Sequence, residues 1–143
     1  YSLHCNSNQL TSLNVSNNPN LQYLYISNNQ LTSFDGAGMT ALNYFRCEGN
    51  QLTEIDLGQN LNLKFLYCMD QGGSIASTLE HIYLWDYNAN TGPSITSGFT
   101  INATQQGASN LQIHVGTTSR VNYATNFFTI ANGSISAGTT FVI

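Results

Sequence analysis

Three histidines (His4, His81 and His114), three cysteines and seven carboxylates are the side chains of this 143-residue chain that could move protons, attack a substrate or hold a metal. Their spacing gives none of these chemistries a frame. There is no G-x-S-x-G elbow, no H-E-x-x-H pair and no glycine-rich loop joining a strand to a helix. His81 with Glu80 or Asp86 has the components of a base and its orienter, but any chain of this size supplies such a pair. The acidic residues lack the alternating spacing of a calcium loop, and no C-x-x-C pair is available for zinc. The chain therefore reads as a non-enzyme with no metal and no cofactor.

Aromatic residues carry more information, and a repeat sets their positions. Steps of 21 residues link Leu3, Leu24, Phe45 and Leu66, then Cys5, Ile26, Cys47 and Cys68, and then Asn8, Asn29 and Asn50. Leu10, Leu31 and Leu52 form a fourth column, Leu13, Phe34 and Ile55 a fifth, and Leu21, Leu42 and Leu63 a sixth. Side chains alternate faces along an extended segment, so Leu24 and Ile26 point inward while Tyr23, Tyr25 and Ser27 point outward. One turn of chain cannot cover its own inward residues, and successive turns must stack into a shared core. The Asn column is expected to bond the backbone where the chain leaves each strand, forming an asparagine ladder.

The pattern L-x-x-L-x-(I/C)-x-x-N-x-L resembles the 21-residue, cysteine-containing leucine-rich repeats of internalin-like bacterial surface proteins. LHCNSNQLTSL from Leu3, LYISNNQLTSF from Leu24, FRCEGNQLTEI from Phe45 and LYCMDQ from Leu66 carry the resemblance, which covers about half of the chain. It implies a mainly β leucine-rich-repeat solenoid with a parallel concave sheet, an irregular convex side and little helix. It also implies a recognition or adhesion module, secreted or on a bacterial cell surface.

Residues 1–86 are expected to hold four regular turns and a shortened fifth, because Leu79-x-x-Ile82-x-Leu84 matches Leu63-x-x-Leu66-x-Cys68. Residues 87–110 read as a loop-rich excursion around one strand at Phe99 to Ile101, and residues 111–143 as an all-β C-terminal cap. The five expected concave strands then present fifteen outward positions, of which seven are aromatic in a chain that is 11% aromatic. Tyr23, Tyr25, Tyr44, Arg46, Phe65, Tyr67, His81, Tyr83 and Trp85 are the candidate ligand-binding residues, for a protein or a glycan, because exposed aromatics with an arginine dominate interfaces. The alternative is a structural spacer or subunit of a larger surface assembly, in which the rings stabilise one another across strands.

Only Arg46, Lys64 and Arg120 are basic, and the formal net charge is −4, so the phosphate-neutralising stripe of a nucleic-acid binder is missing. No apolar run reaches the roughly 20 residues of a membrane helix, and membrane insertion is not expected. The cysteines fall in the inward column, where buried thiols pack well. The first turn (Leu3, Cys5, Leu10 and Leu13) has no polar cover ahead of it, so upstream repeats or a partner chain are expected at that edge.

Overall fold

The computed structural model describes residues 1–72, 78–84, 99–103, 111–115, 128–135 and 140–142. Short parallel strands make up its regular structure. Strands β1 (Ser2–His4), β2 (Tyr23–Tyr25), β3 (Tyr44–Arg46), β5 (Phe65–Tyr67), β7 (Phe99–Ala103) and β9 (Phe128–Ile135) form one six-stranded sheet in that order. Strands β4 (Glu54–Leu57), β6 (His81–Leu84), β8 (Gln112–Val115) and β10 (Thr140–Val142) form a second, four-stranded sheet. From β3 onward the chain visits the two sheets alternately, one strand of each per turn.

The register is the one that the repeat demands. Leu3 pairs with Leu24, Leu24 with Phe45, and Phe45 with Leu66. Leu24, Ile26, Phe45, Cys47, Leu66 and Cys68 are all fully buried. The second sheet contributes Ile55, Ile82 and Ile113 to the same core, again as direct partners. Phe34 and Phe45 meet across the interior with ring centroids 4.5 Å apart. At roughly 1.5 to 3 kcal/mol per buried large apolar side chain, these columns dominate stability. All three cysteines are thiols, and burial pushes the Cys47 and Cys68 thiols well above their ordinary range.

The amide ladder stitches the turns together at the strand exits. Asn29 Nδ2 donates to the carbonyls of Cys5 and Ile26, at 2.9 and 3.0 Å, while its Oδ1 accepts from the Leu10 amide. Asn50 repeats this on Ile26, Cys47 and Leu31. Gln71 takes the fourth place, donating to Cys47 O at 2.7 Å and accepting from the Leu52 amide at 3.1 Å. A second 21-residue column precedes it: Ser7, Asn28, Gly49 and Asp70 all take the left-handed conformation, with φ between 55° and 65°. Each strand therefore ends in the same sharp corner.

Two expectations change here. The fifth concave strand is not at 79–84: β6 pairs with β4 in the second sheet, and the neighbour of β5 in the first sheet is β7. Leu79-x-x-Ile82-x-Leu84 matches Leu52-x-x-Ile55-x-Leu57 as well as it matches the concave pattern, and the strand pairing decides between them. Residues 47–53 carry the chain from β3 to β4 and residues 68–80 carry it from β5 to β6, so the 16-residue step from Leu66 to Ile82 leads to the other sheet, about half a circuit and not a whole one. The returns, expected to be irregular, are so through the first two turns apart from a single bridge between Asp35 and Asp56. From Glu54 onward they form the second sheet. Strand β7, expected in an excursion, and strands β8 to β10, expected in a cap, extend the two ladders.

Candidate binding face

Inward pairing of Leu24, Phe45 and Leu66 turns their neighbours outward in two rows. One row runs Ser2, Tyr23, Tyr44 and Phe65, and the other His4, Tyr25, Arg46 and Tyr67. Tyr44 is the hub. Its ring lies 5.4 Å from those of Tyr25 and Phe65, 5.5 Å from Tyr67 and 6.4 Å from Tyr23, all tilted. His4 stacks on Tyr25 at 4.3 Å, which extends the aromatic surface to the edge strand. These separations lie in the range where rings attract, by about 0.5–1.5 kcal/mol per pair beyond the burial of area.

The surface is neither core nor freely solvated. Tyr23 is exposed, while Tyr25, Tyr44, Arg46, Phe65 and Tyr67 are half-buried. Burial raises the Tyr44 phenol above its ordinary pKa; the neighbouring Tyr67 adds to this and Arg46 opposes it. The Tyr44 phenol is therefore a neutral donor and acceptor at physiological pH.

Polar contacts fix Arg46 in this setting. Its Nε donates to Glu48 Oε1 at 2.7 Å, its Nη2 donates to the same oxygen, and the Ser27 hydroxyl donates to Glu48 Oε2 at 2.6 Å. The hydrogen bond to Glu48 is the main reason that the guanidinium pKa is raised. Its plane stands over the Tyr67 ring, 5.1 Å from the centroid, a distance suited to cation–π attraction. Glu48 is almost fully buried. The pair thus has no net charge, and it holds a planar donor group at a set place among the rings.

Six of the nine expected site residues come together on this face: Tyr23, Tyr25, Tyr44, Arg46, Phe65 and Tyr67. His81 and Tyr83 do not join them, because β6 belongs to the other sheet. Trp85, like Asp86, lies outside the described residues. His81 and Tyr83 instead share the outer face of the second sheet with His114, on which Tyr83 stacks at 4.4 Å. Burial, followed by the charge of His81, lowers the His114 pKa. His4 and Glu48 are additions to the first face. Both fall at outward positions that the repeat identifies, though neither is among the aromatic residues that mark it.

Residues 19–83 match the family model for leucine-rich repeats, in two copies. The fold is a mainly β leucine-rich-repeat solenoid. No curated protein and no solved structure gives a significant match. Leucine-rich repeats are typically non-enzymatic protein-interaction scaffolds, and solenoids of this kind use their extended sheet surfaces for binding. Among the described residues no helix is long and apolar enough to cross a membrane.

Proposed function

We propose that this protein is a recognition module that binds a protein partner through the outer face of the six-stranded sheet, in a secreted or bacterial cell-surface setting. The contiguous surface of exposed Tyr23 and half-buried Tyr25, Tyr44, Phe65 and Tyr67 around Arg46 carries the reading. Tyr and Arg are the residues enriched at binding hot spots, and here their rotamers are set by ring contacts and by Glu48, so little side-chain entropy remains to be lost on binding. Exposed rings also stack on sugars, and a glycan is the other ligand that such a surface could accept.

A structural role is the competing reading, and the same ring contacts favour it, since cross-strand aromatic pairs stabilise sheets by themselves. Paired capture experiments separate the two. Wild type, Y25A/Y67A and the second-sheet variant Y83A are each immobilised and exposed to proteins from the native surface environment and to a glycan array. The recognition reading expects a protein ligand retained by wild type and Y83A and lost from a folded Y25A/Y67A. Equal retention by all three would remove the face from the account, and retention of glycans alone would replace the protein partner with a carbohydrate.

A further inference from the structure

The outer face of the second sheet carries a feature that the recognition reading does not use. His81 on β6 and His114 on β8 come from adjacent strands, set diagonally because His81 pairs with Gln112 and Tyr83 pairs with His114. Their facing ring nitrogens, His81 Nδ1 and His114 Nε2, are 3.1 Å apart. Tyr83 stacks on the His114 ring with an interplanar angle of 18°, and its centroid is 6.0 Å from that of His81. We propose that His81 and His114 form a two-imidazole chelate for a borderline divalent transition-metal ion, with Zn2+ as its representative.

The separation fits this chemistry. Imidazole–zinc bonds are about 2.0–2.1 Å long, and two of them meeting at about 98° span the observed gap, between octahedral and tetrahedral angles. Without metal, the same distance is a hydrogen bond in which one ring N–H donates to the other ring. On binding, that ring carries its proton on its far nitrogen, and both rings turn so that their near lone pairs converge on the ion. Two neutral imidazoles do this with no net gain or loss of protons.

The surroundings favour a cation and set its class. Glu54 on β4 is the register partner of His81, and Asp56 that of Tyr83, so carboxylates stand on the adjacent strand. Among the described residues no third histidine, cysteine or carboxylate converges with the pair, so water completes the coordination. Imidazole donors select zinc, copper or nickel over magnesium and calcium, which need oxygen ligands. A bound ion would clip β6 to β8. The residues lie 33 apart in sequence, and no metal-binding spacing reveals them.

Zinc chloride titrated into the tag-free native chain at pH 7.5, followed by calorimetry and by histidine ring NMR, tests this. One ion per chain is expected, with the His81 and His114 ring signals moving together while those of His4 stay in place. H81Q and H114Q should each weaken binding at least about tenfold, since even residues behind the metal ligands typically cost that much. H4Q should change nothing, and magnesium chloride should give neither heat nor shifts. The proposal is overturned if the two ring signals do not shift together. It is equally overturned if both glutamine variants bind zinc as the native chain does. The NMR result on the native chain stands whether or not the variants fold.

Discussion

Replacing Asn50 by alanine removes one rung of the amide ladder, and the surrounding bonds allow its cost to be worked out. Asn50 Nδ2 serves the carbonyls of Ile26 and Cys47, but each carbonyl keeps a second donor, Asn29 for Ile26 and Gln71 for Cys47. The Leu31 amide is different, because Asn50 Oδ1 is its acceptor at 3.1 Å and Leu31 is fully buried. Leaving that N–H unpaired costs about 1–3 kcal/mol, and the two lost bonds to carbonyls that stay paired cost about 0.5–1.5 kcal/mol each. The expected loss is about 2–6 kcal/mol, read from urea denaturation monitored by circular dichroism. Asn8 occupies the same column on the exposed first turn and bonds only Cys5 and Asn6 carbonyls, so N8A should cost less than about 1 kcal/mol. Equal effects of N50A and N8A would refute the reasoning, because the ladder would then be unrelated to burial.

Two further outcomes follow from burial. Cys47 and Cys68 have thiol pKa values raised by burial, so the native state keeps protons that an unfolded chain releases above about pH 8.5. Stability is therefore fully present below that pH and falls above it, by up to about 1.4 kcal/mol per pH unit per thiol. The urea midpoint of wild type should drop between pH 8 and 10 more steeply than that of C47A/C68A, and parallel slopes would contradict it. Leu3, Cys5 and Leu10 are only half-buried, whereas their counterparts Leu24, Ile26 and Leu31 are sealed. Amides of residues 3–10 should exchange with deuterium faster than those of residues 24–31 in a dilute sample; equal protection would show that the first turn is covered in a way its burial does not reveal.

The first four turns were legible because one period governs them. Columns such as Leu3, Leu24, Phe45 and Leu66 place both the core and the outward rows that hold Tyr44 and Arg46. The period then fails: Ile101, the partner of Leu66, lies 35 residues further on, and Ile82 lies 27 residues after Ile55. Once turns differ in length, a short apolar pattern such as that of Leu79, Ile82 and Leu84 fits either sheet. Only the strand pairing decides, and it places His81 and Tyr83 away from the aromatic face. Gln71 escaped notice as a rung because its side chain is one carbon longer than asparagine, yet it reaches the same carbonyl and amide. The left-handed corners at Ser7, Asn28, Gly49 and Asp70 share a register but not a residue type, and so leave little trace in composition. The approach of His81 to His114 depends on strand order alone.

The central claim is that the partner sits on the outer face of the six-stranded sheet, with Tyr44 at its middle. A photo-crosslinking phenylalanine analogue placed at position 44 or at position 83 tests this directly, because both positions hold part-buried tyrosines on outward sheet faces and only the sheet differs. The account predicts that a partner protein is trapped from position 44 and not from position 83. Trapping from position 83 alone, or from neither position while the native chain still captures the partner, would contradict it.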